Sequence, residues 1–129
     1  MTPRSCVLDA SSVLALAHSE AGVDVVAEHV EGAAISTVNW SEIVRRSLQR
    51  EVRISELRAR LADAGVVLMP FIESDANDAA AFWRRTREHG LSFADRACLA
   101  LAARLDVPAV TADRAWTTLD LDIEIVCIR

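Results

Sequence analysis

The sequence predicts an α/β fold, a central parallel β-sheet of four to five strands flanked by α-helices, in a single domain spanning residues 1–129. Three observations carry that reading. Short apolar runs alternate with longer stretches of helical spacing along the whole chain, the order expected when each parallel strand is followed by a crossover helix. The runs are continuously apolar, as in strands buried on both faces. No Pro-, Ser- or Gly-rich linker and no internal repeat interrupts the 129 residues, a length that suits one domain with a sizeable core.

The elements follow in order. Residues 5–8 read as a short buried strand, and residues 10–18 and 22–31 as helices punctuated by Gly22 and Gly32. Ala34-Ile35-Ser36 is a strand. Val38, Ile43, Val44 and Leu48 recur near helical spacing and predict a helix from 37 to 51. A helix over 54–64 ends at Gly65, which suits a C-terminal cap, and Val66-Val67-Leu68-Met69 is a strand stopped by Pro70. Residues 75–88 read as one helix closed near Gly90, and 94–105 as an Ala- and Leu-rich helix buried on most sides. Pro108 then breaks the helical pattern before the strand Ala109-Val110-Thr111. A short helix after Asp113 and a last strand over 123–128 complete the chain.

Composition excludes several classes. No apolar run approaches the roughly 18 residues of a membrane span, and Asp9 interrupts the only apolar stretch near the start, so that segment does not read as a signal peptide. The expectation is a cytoplasmic protein. Cys6, Cys98 and Cys127 form an odd set in apolar segments without C-x-x-C spacing, and read as small buried hydrophobes in a reducing compartment. His18, His29 and His89 have no zinc-ligand spacing with them. The net charge of −5 argues by itself against nucleic acid. All 14 basic residues are Arg, however, the better bidentate partner for phosphate, although genomic base composition explains that usage at least as simply.

Four acids stand out: Asp9, Glu42, Asp95 and Asp113. Each falls where a predicted strand ends or a predicted helix begins. In open α/β sheets ligands bind beyond the carboxyl ends of the strands, near the switch in strand order, so these acids can converge. Together they account for −4 of the net −5, leaving −5 + 4 = −1 for the rest of the chain. Four converging carboxylates repel, and without a cation one or more would take up a proton. All-oxygen ligation suits Mg²⁺ or Mn²⁺, and such an ion supports phosphodiester chemistry by activating water and stabilising phosphate oxygens. One or two ions fit equally.

Each acid also has a structural explanation. Asp9 and Asp113 are placed to cap helices, and Ser92/Asp95 and Asn39/Glu42 have capping-box spacing. Asp75, with no strand-end partner, reads as a cap or solvated surface. Ser11, Asn39, Thr111, Arg96 and Arg114 lie near the focal acids, and each suits supporting a site as well as it suits ordinary capping or surface duty. Arg side chains near the cleft are expected to position phosphates. Trp40, Trp83 and Trp116 read as core or interface anchors before stacking platforms.

The segment Val7-Leu8-Asp9-Ala10-Ser11-Ser12-Val13-Leu14-Ala15-Leu16 resembles the opening motif of PIN-domain nucleases. Ser36–Ile43, Leu91–Ala100 and Val110–Trp116 resemble the other three acidic motifs, in the same order, so the resemblance covers nearly the whole chain. The compact length is similar to that of VapC-type toxins of toxin–antitoxin pairs. The resemblance implies a Mg²⁺- or Mn²⁺-dependent endoribonuclease with Asp9, Glu42, Asp95 and Asp113 as metal-binding and catalytic residues. It further implies RNA as substrate and homodimerisation. A small VapB-type antitoxin would insert near the active site, in a heterotetramer or larger assembly. Trp40 departs from the pattern, standing where smaller apolar residues are common.

Other classes fit less well. A haloacid-dehalogenase-like phosphatase wants a second acid two positions after Asp9, where Ser11 stands. A receiver domain wants a Lys, and the chain has none. Neither a Gly-rich phosphate loop nor G-x-S-x-G is present. An inactive PIN-like interaction module and a PIN-domain nuclease of RNA processing remain as alternatives.

Overall fold

A computed structural model of the chain describes residues 3–50 and 53–129. Its strands are β1 (Val7–Leu8), β2 (Ala34–Ser36), β3 (Val67–Met69), β4 (Ala109–Thr111) and β5 (Ile125–Cys127). They form one sheet in the order β3-β2-β1-β4-β5, and every neighbouring pair is parallel. Val7 lies beside both Ala34 and Ala109, so β1 is the central strand. The sheet therefore has the upper number of strands expected from the sequence.

Seven helices flank it among the described residues: α1 (Ala10–His18), α2 (Val23–His29), α3 (Thr37–Arg50), α4 (Ile54–Asp63), α5 (Glu73–Ala81), α6 (Trp83–Thr86) and α7 (Phe93–Leu105). Strand alternation sorts the core into two layers. Cys6, Leu8, Ile35 and Val110 point to one face, where they pack with Val13, Val26, Ile43, Leu57 and Leu61 of α1–α4. Val7, Ala34 and Ala109 point to the other, against Cys98, Leu99, Leu101 and Ala102 of α7 and the buried Trp116. The chain runs β1-β2-β3 with helices on the first face, then returns through α5–α7 on the second to place β4 on the far side of β1. The switch in strand order thus lies between β1 and β4, beside Asp9.

The boundaries differ from the sequence reading where side chains compete with the helix. The single helix expected over 75–88 is broken. It starts at Glu73 because Asp75 sits in its first turn and accepts from the Ile72 amide at 3.2 Å. It ends at Ala81, and after Phe82 a one-turn helix and a 3-10 turn (Arg87–His89) follow. The buried Thr86 hydroxyl donates back to the Phe82 carbonyl at 2.9 Å, a bond that bends helices. The predicted end of α3 at residue 51 lies outside the described residues. The segment after Asp113 is a 3-10 turn (Arg114–Thr118). Gly65 has a φ of +92° after α4, as a glycine at the helix end requires. Gly22 also needs its freedom: at φ +92°, an added Cβ would stand 2.6 Å from the Ile128 carbonyl oxygen. Cys6 and Cys98 are buried as expected, whereas Cys127 on the edge strand is half-buried. No described helix is long and apolar enough to cross a membrane.

Asp75 is not solvated surface. Its side chain is 1% exposed and takes both arms of Arg104, with Nε at 2.8 Å and Nη2 at 3.1 Å. Arg104 also donates to the Pro70 carbonyl, so one guanidinium ties the end of α7 to the start of α5. Removing it strands a buried carboxylate. Arg104→Met is expected to lower unfolding stability by about 2–3 kcal/mol, measured by urea denaturation at neutral pH. A loss below about 0.5 kcal/mol, the usual effect of a surface change, would show that the staple carries no load.

Candidate active site

Two strand ends and two helices meet at one edge of the sheet and bring the focal acids together. Asp9 follows β1 and caps α1, accepting from the Ser12 amide at 2.8 Å. Asp113 lies two residues beyond β4 and accepts from the Ala115 amide at 2.9 Å. Asp95 sits in the first turn of α7 in a capping box: it accepts from the Ser92 amide at 2.8 Å while its own amide donates to the Ser92 hydroxyl at 3.2 Å. Glu42 lies in the body of α3 and pairs with Arg46, one turn on, at 3.2 Å. Asp9, Ala10, Ser11, Glu42, Arg46, Ser92, Asp95 and Asp113 line a single open cleft of about 280 Å³.

Asp9 is the centre of the hydrogen-bond network. It is 3% exposed. The Ser11 hydroxyl lies 2.8 Å from both its oxygens, and the Thr111 hydroxyl donates to Oδ2 at 2.6 Å. Ser11 also accepts from the Ala112 amide at 2.9 Å, and Thr111 from the Asp113 amide at 3.1 Å. Two hydroxyls therefore bridge the carboxyl end of β1 to that of β4. Even with these donors, burial pushes the Asp9 carboxyl up from 3.8 to about 6. Burial also raises the Asp95 carboxyl, with the Asp113 charge adding to the rise, while its bonds to Ser92 and the Arg46 charge act in the opposite direction.

The supporting residues divide. Ser11 and Thr111 hold Asp9 as described. Asn39 and Glu42 do not form a capping box: Asn39 is fully buried and its amide donates to the Ala94 carbonyl at 2.9 Å, joining α3 to the start of α7. Asn39 thus sets the distance between the helices that carry Glu42 and Asp95. Arg96 turns away from the cleft, donating to the Ala79 carbonyl at 2.8 Å and lying over the Phe93 ring. Arg114 is bonded to the Arg129 carbonyl at 3.0 Å. Trp40 packs against the core layer of α1–α4, Trp116 is buried, and Trp83 is half-exposed beneath Arg87. Arg46 is the cleft residue that sequence reasoning missed. The available signal was its position four residues after Glu42, the spacing of a helical ion pair.

The donor set suits a hard divalent cation: four carboxylates and hydroxyls, with one guanidinium, and neither Cys nor His in the lining. Among the described residues no three such side chains lie close enough to make a ready-made metal cluster. Burial raises both the Asp9 and the Asp95 carboxyls, and for Asp95 the neighbouring Asp113 charge adds a smaller rise.

Fold and cleft define an α/β protein with an acidic site at the carboxyl edge of a parallel sheet. The PIN domain family profile matches residues 6–121, and the chain belongs to that family. No curated protein sequence matches it. Similar solved structures include a toxin–antitoxin complex from Klebsiella pneumoniae, at 18% identity and a TM-score of 0.73, covering 97% of this chain and 98% of that one. A DNA-bound VapBC from Salmonella typhimurium is similar at 12% identity and a TM-score of 0.72, covering 95% and 96%. VapBC-5 from Mycobacterium tuberculosis is similar at 21% identity and a TM-score of 0.59, covering 98% and 99%. These likenesses show the fold.

A buried carboxyl with a raised folded pKa costs least when protonated. Its cost grows as pH rises from the unfolded value of 3.8 to the folded value of about 6 and is constant above. The span corresponds to roughly 3 kcal/mol. Metal-free protein is therefore expected to lose stability over that window, and Asp9→Asn to lack this component of the loss. Urea denaturation in chelator from pH 4 to 7 measures it. Identical pH profiles for the two proteins would exclude Asp9 desolvation as the source.

Proposed function

We propose that the protein is a Mg²⁺- or Mn²⁺-dependent endoribonuclease, the VapC-type toxin of a toxin–antitoxin pair acting in the cytoplasm. The observation that carries the reading is the convergence of Asp9, Glu42, Asp95 and Asp113 on one cleft at the switch in strand order, in a PIN-family chain. Asp9 and Asp95 would be the direct metal ligands, with Glu42 close behind and Asp113 acting directly or through water. A bound divalent cation supplies the positive charge that makes water a nucleophile near neutral pH and stabilises the phosphate oxygens. The chain's own residues do the positioning. Ser12, Ser11 and Thr111 aim the Asp9 carboxylate, Ser92 aims Asp95, and Asn39 holds α3 against α7 so that Glu42 faces both.

The antitoxin has a matching surface. A groove of about 400 Å³ runs between α1, α2 and α4, lined by Leu16, Ala27, Val30, Leu57 and Leu61 with Arg60 and Asp63 at its rim. An apolar face of this kind suits an amphipathic helix, and a second copy of the chain would cover other apolar surface of the early helices. Sedimentation at micromolar concentration is expected to show a dimer, and a monomer would exclude the homodimer.

Purified protein is expected to cut a mixed cellular RNA preparation with Mg²⁺ or Mn²⁺, to stop on addition of chelator, and to lose activity in the folded Asp9→Asn variant. Divalent metal is also expected to raise the melting temperature of the wild type. Full activity in Asp9→Asn would sink the site assignment. Absence of both cleavage and metal binding would establish the inactive interaction module instead. The toxin role is read separately, from growth arrest on expression relieved by the antitoxin; cleavage without arrest would indicate RNA processing.

A further inference from the structure

We infer that Arg46 is a phosphate-positioning residue for the nucleic acid, parked on Glu42 until a divalent cation claims that carboxylate. The inference rests on the nuclease reading above and deepens it. Arg46 shares the cleft with all four acids and is the one basic side chain among the lining residues. A polyanion entering a cleft of four carboxylates meets repulsion, which a fixed cation at the mouth offsets locally. The other two candidate Arg residues are committed elsewhere, Arg96 to the Ala79 carbonyl and the Phe93 ring, Arg114 to the Arg129 carbonyl.

The Arg46–Glu42 contact is built to break. It joins one Nη to one carboxylate oxygen at 3.2 Å, between side chains 40% and 18% exposed. A guanidinium carries five N–H donors, so this bond engages one of them and leaves most of the fork available. A single-point pair whose guanidinium stays 40% open to solvent is weak, whereas the planar fork matches phosphate in two bonds. The guanidinium field already reaches Asp95 across the cleft. Glu42 is the common partner. A cation drawing on Glu42 weakens its hold on Arg46, and Arg46 holding Glu42 opposes the cation. Linkage makes the two effects reciprocal. Metal binding without nucleic acid should therefore improve when Arg46 is removed, while nucleic-acid engagement should worsen.

The test uses full-length wild type, Arg46→Ala, Arg46→Lys and, as a control, Arg45→Ala, an exposed neighbour on the same helix. Mn²⁺ affinity of the metal-stripped proteins is measured by calorimetry without RNA. Cleavage of a fluorescent mixed-sequence RNA is followed for KM and kcat across a salt series. Arg46→Ala is expected to bind Mn²⁺ about two- to fivefold tighter, the range of a weak surface pair. Its KM should rise roughly tenfold, as for loss of a charged hydrogen bond, with a smaller change in kcat. The salt dependence should become shallower by about 0.7 in log–log slope, one phosphate contact on a single strand. Arg46→Lys should keep the salt slope and recover part of the KM. Unchanged or weaker Mn²⁺ binding in Arg46→Ala overturns the inference, as does an unchanged KM, or equal effects in Arg45→Ala. A wild type that neither binds Mn²⁺ nor cuts RNA would overturn the nuclease reading itself, and the role of Arg46 with it.

Discussion

The Asp9 carboxylate joins two strands, one helix and the proposed chemistry through a single set of hydrogen bonds. Its backbone amide continues the β1–β4 ladder to the Val110 carbonyl at 3.0 Å. Its side chain takes the Ser12 amide in the first turn of α1 and the hydroxyls of Ser11 and Thr111. Those hydroxyls in turn take amides beyond β4. The network places an acid at the switch point and fixes both carboxylate oxygens. It does so at the cost of desolvation, the larger influence on the acid, as its raised pKa records. A fully satisfied but buried carboxylate is poorly stabilised unless a cation completes it.

The rest of the fold supplies the scaffold that this network needs. Ala34 and Ala109 flank Val7 on the face toward α7, and α7 answers with Cys98, Leu99, Leu101 and Ala102. The small Ala34 and Ala109 of the strands, facing Cys98 and Ala102, leave room for Leu99 and Leu101 to pack on the sheet and seat the helix whose first turn carries the capping box of Asp95. On the opposite face larger side chains from α1–α4 fill the space. The Asn39 bond to Ala94 crosses from the α3 edge to α7, so the two layers are locked to one another beside the cleft.

Much of this was legible in the sequence. Continuous apolar runs marked the five strands, and their spacing implied parallel order. Acids at strand ends predicted a convergent site because topology, not proximity in sequence, sets where the ends of parallel strands lie. What escaped reading depended on three-dimensional partners. Arg104 and Asp75 are 29 residues apart, and nothing local marks them as a pair. The break after Ala81 arises from Thr86 turning inward to bond the backbone, a choice that periodicity does not encode. Arg96 follows Asp95 directly yet faces the other way, because adjacent residues on a helix point about 100° apart. Arg46, four positions from Glu42, shares its face for the same reason.

Three of the four acids serve as caps and as cleft residues at once, so the structural and functional explanations do not compete. Asp9, Asp95 and Asp113 each accept a backbone amide. A cap aims a carboxylate with short, rigid geometry, leaving its second oxygen or second lone pair to face the cleft. Capping is thus how the fold preorganises the site before anything binds. Glu42 is the exception. It sits within a helix, where no amide is free, on a side chain with an additional rotatable bond, and Arg46 is the partner that restrains it. The site accordingly combines three carboxylates fixed by the backbone with a fourth restrained by a weak pair.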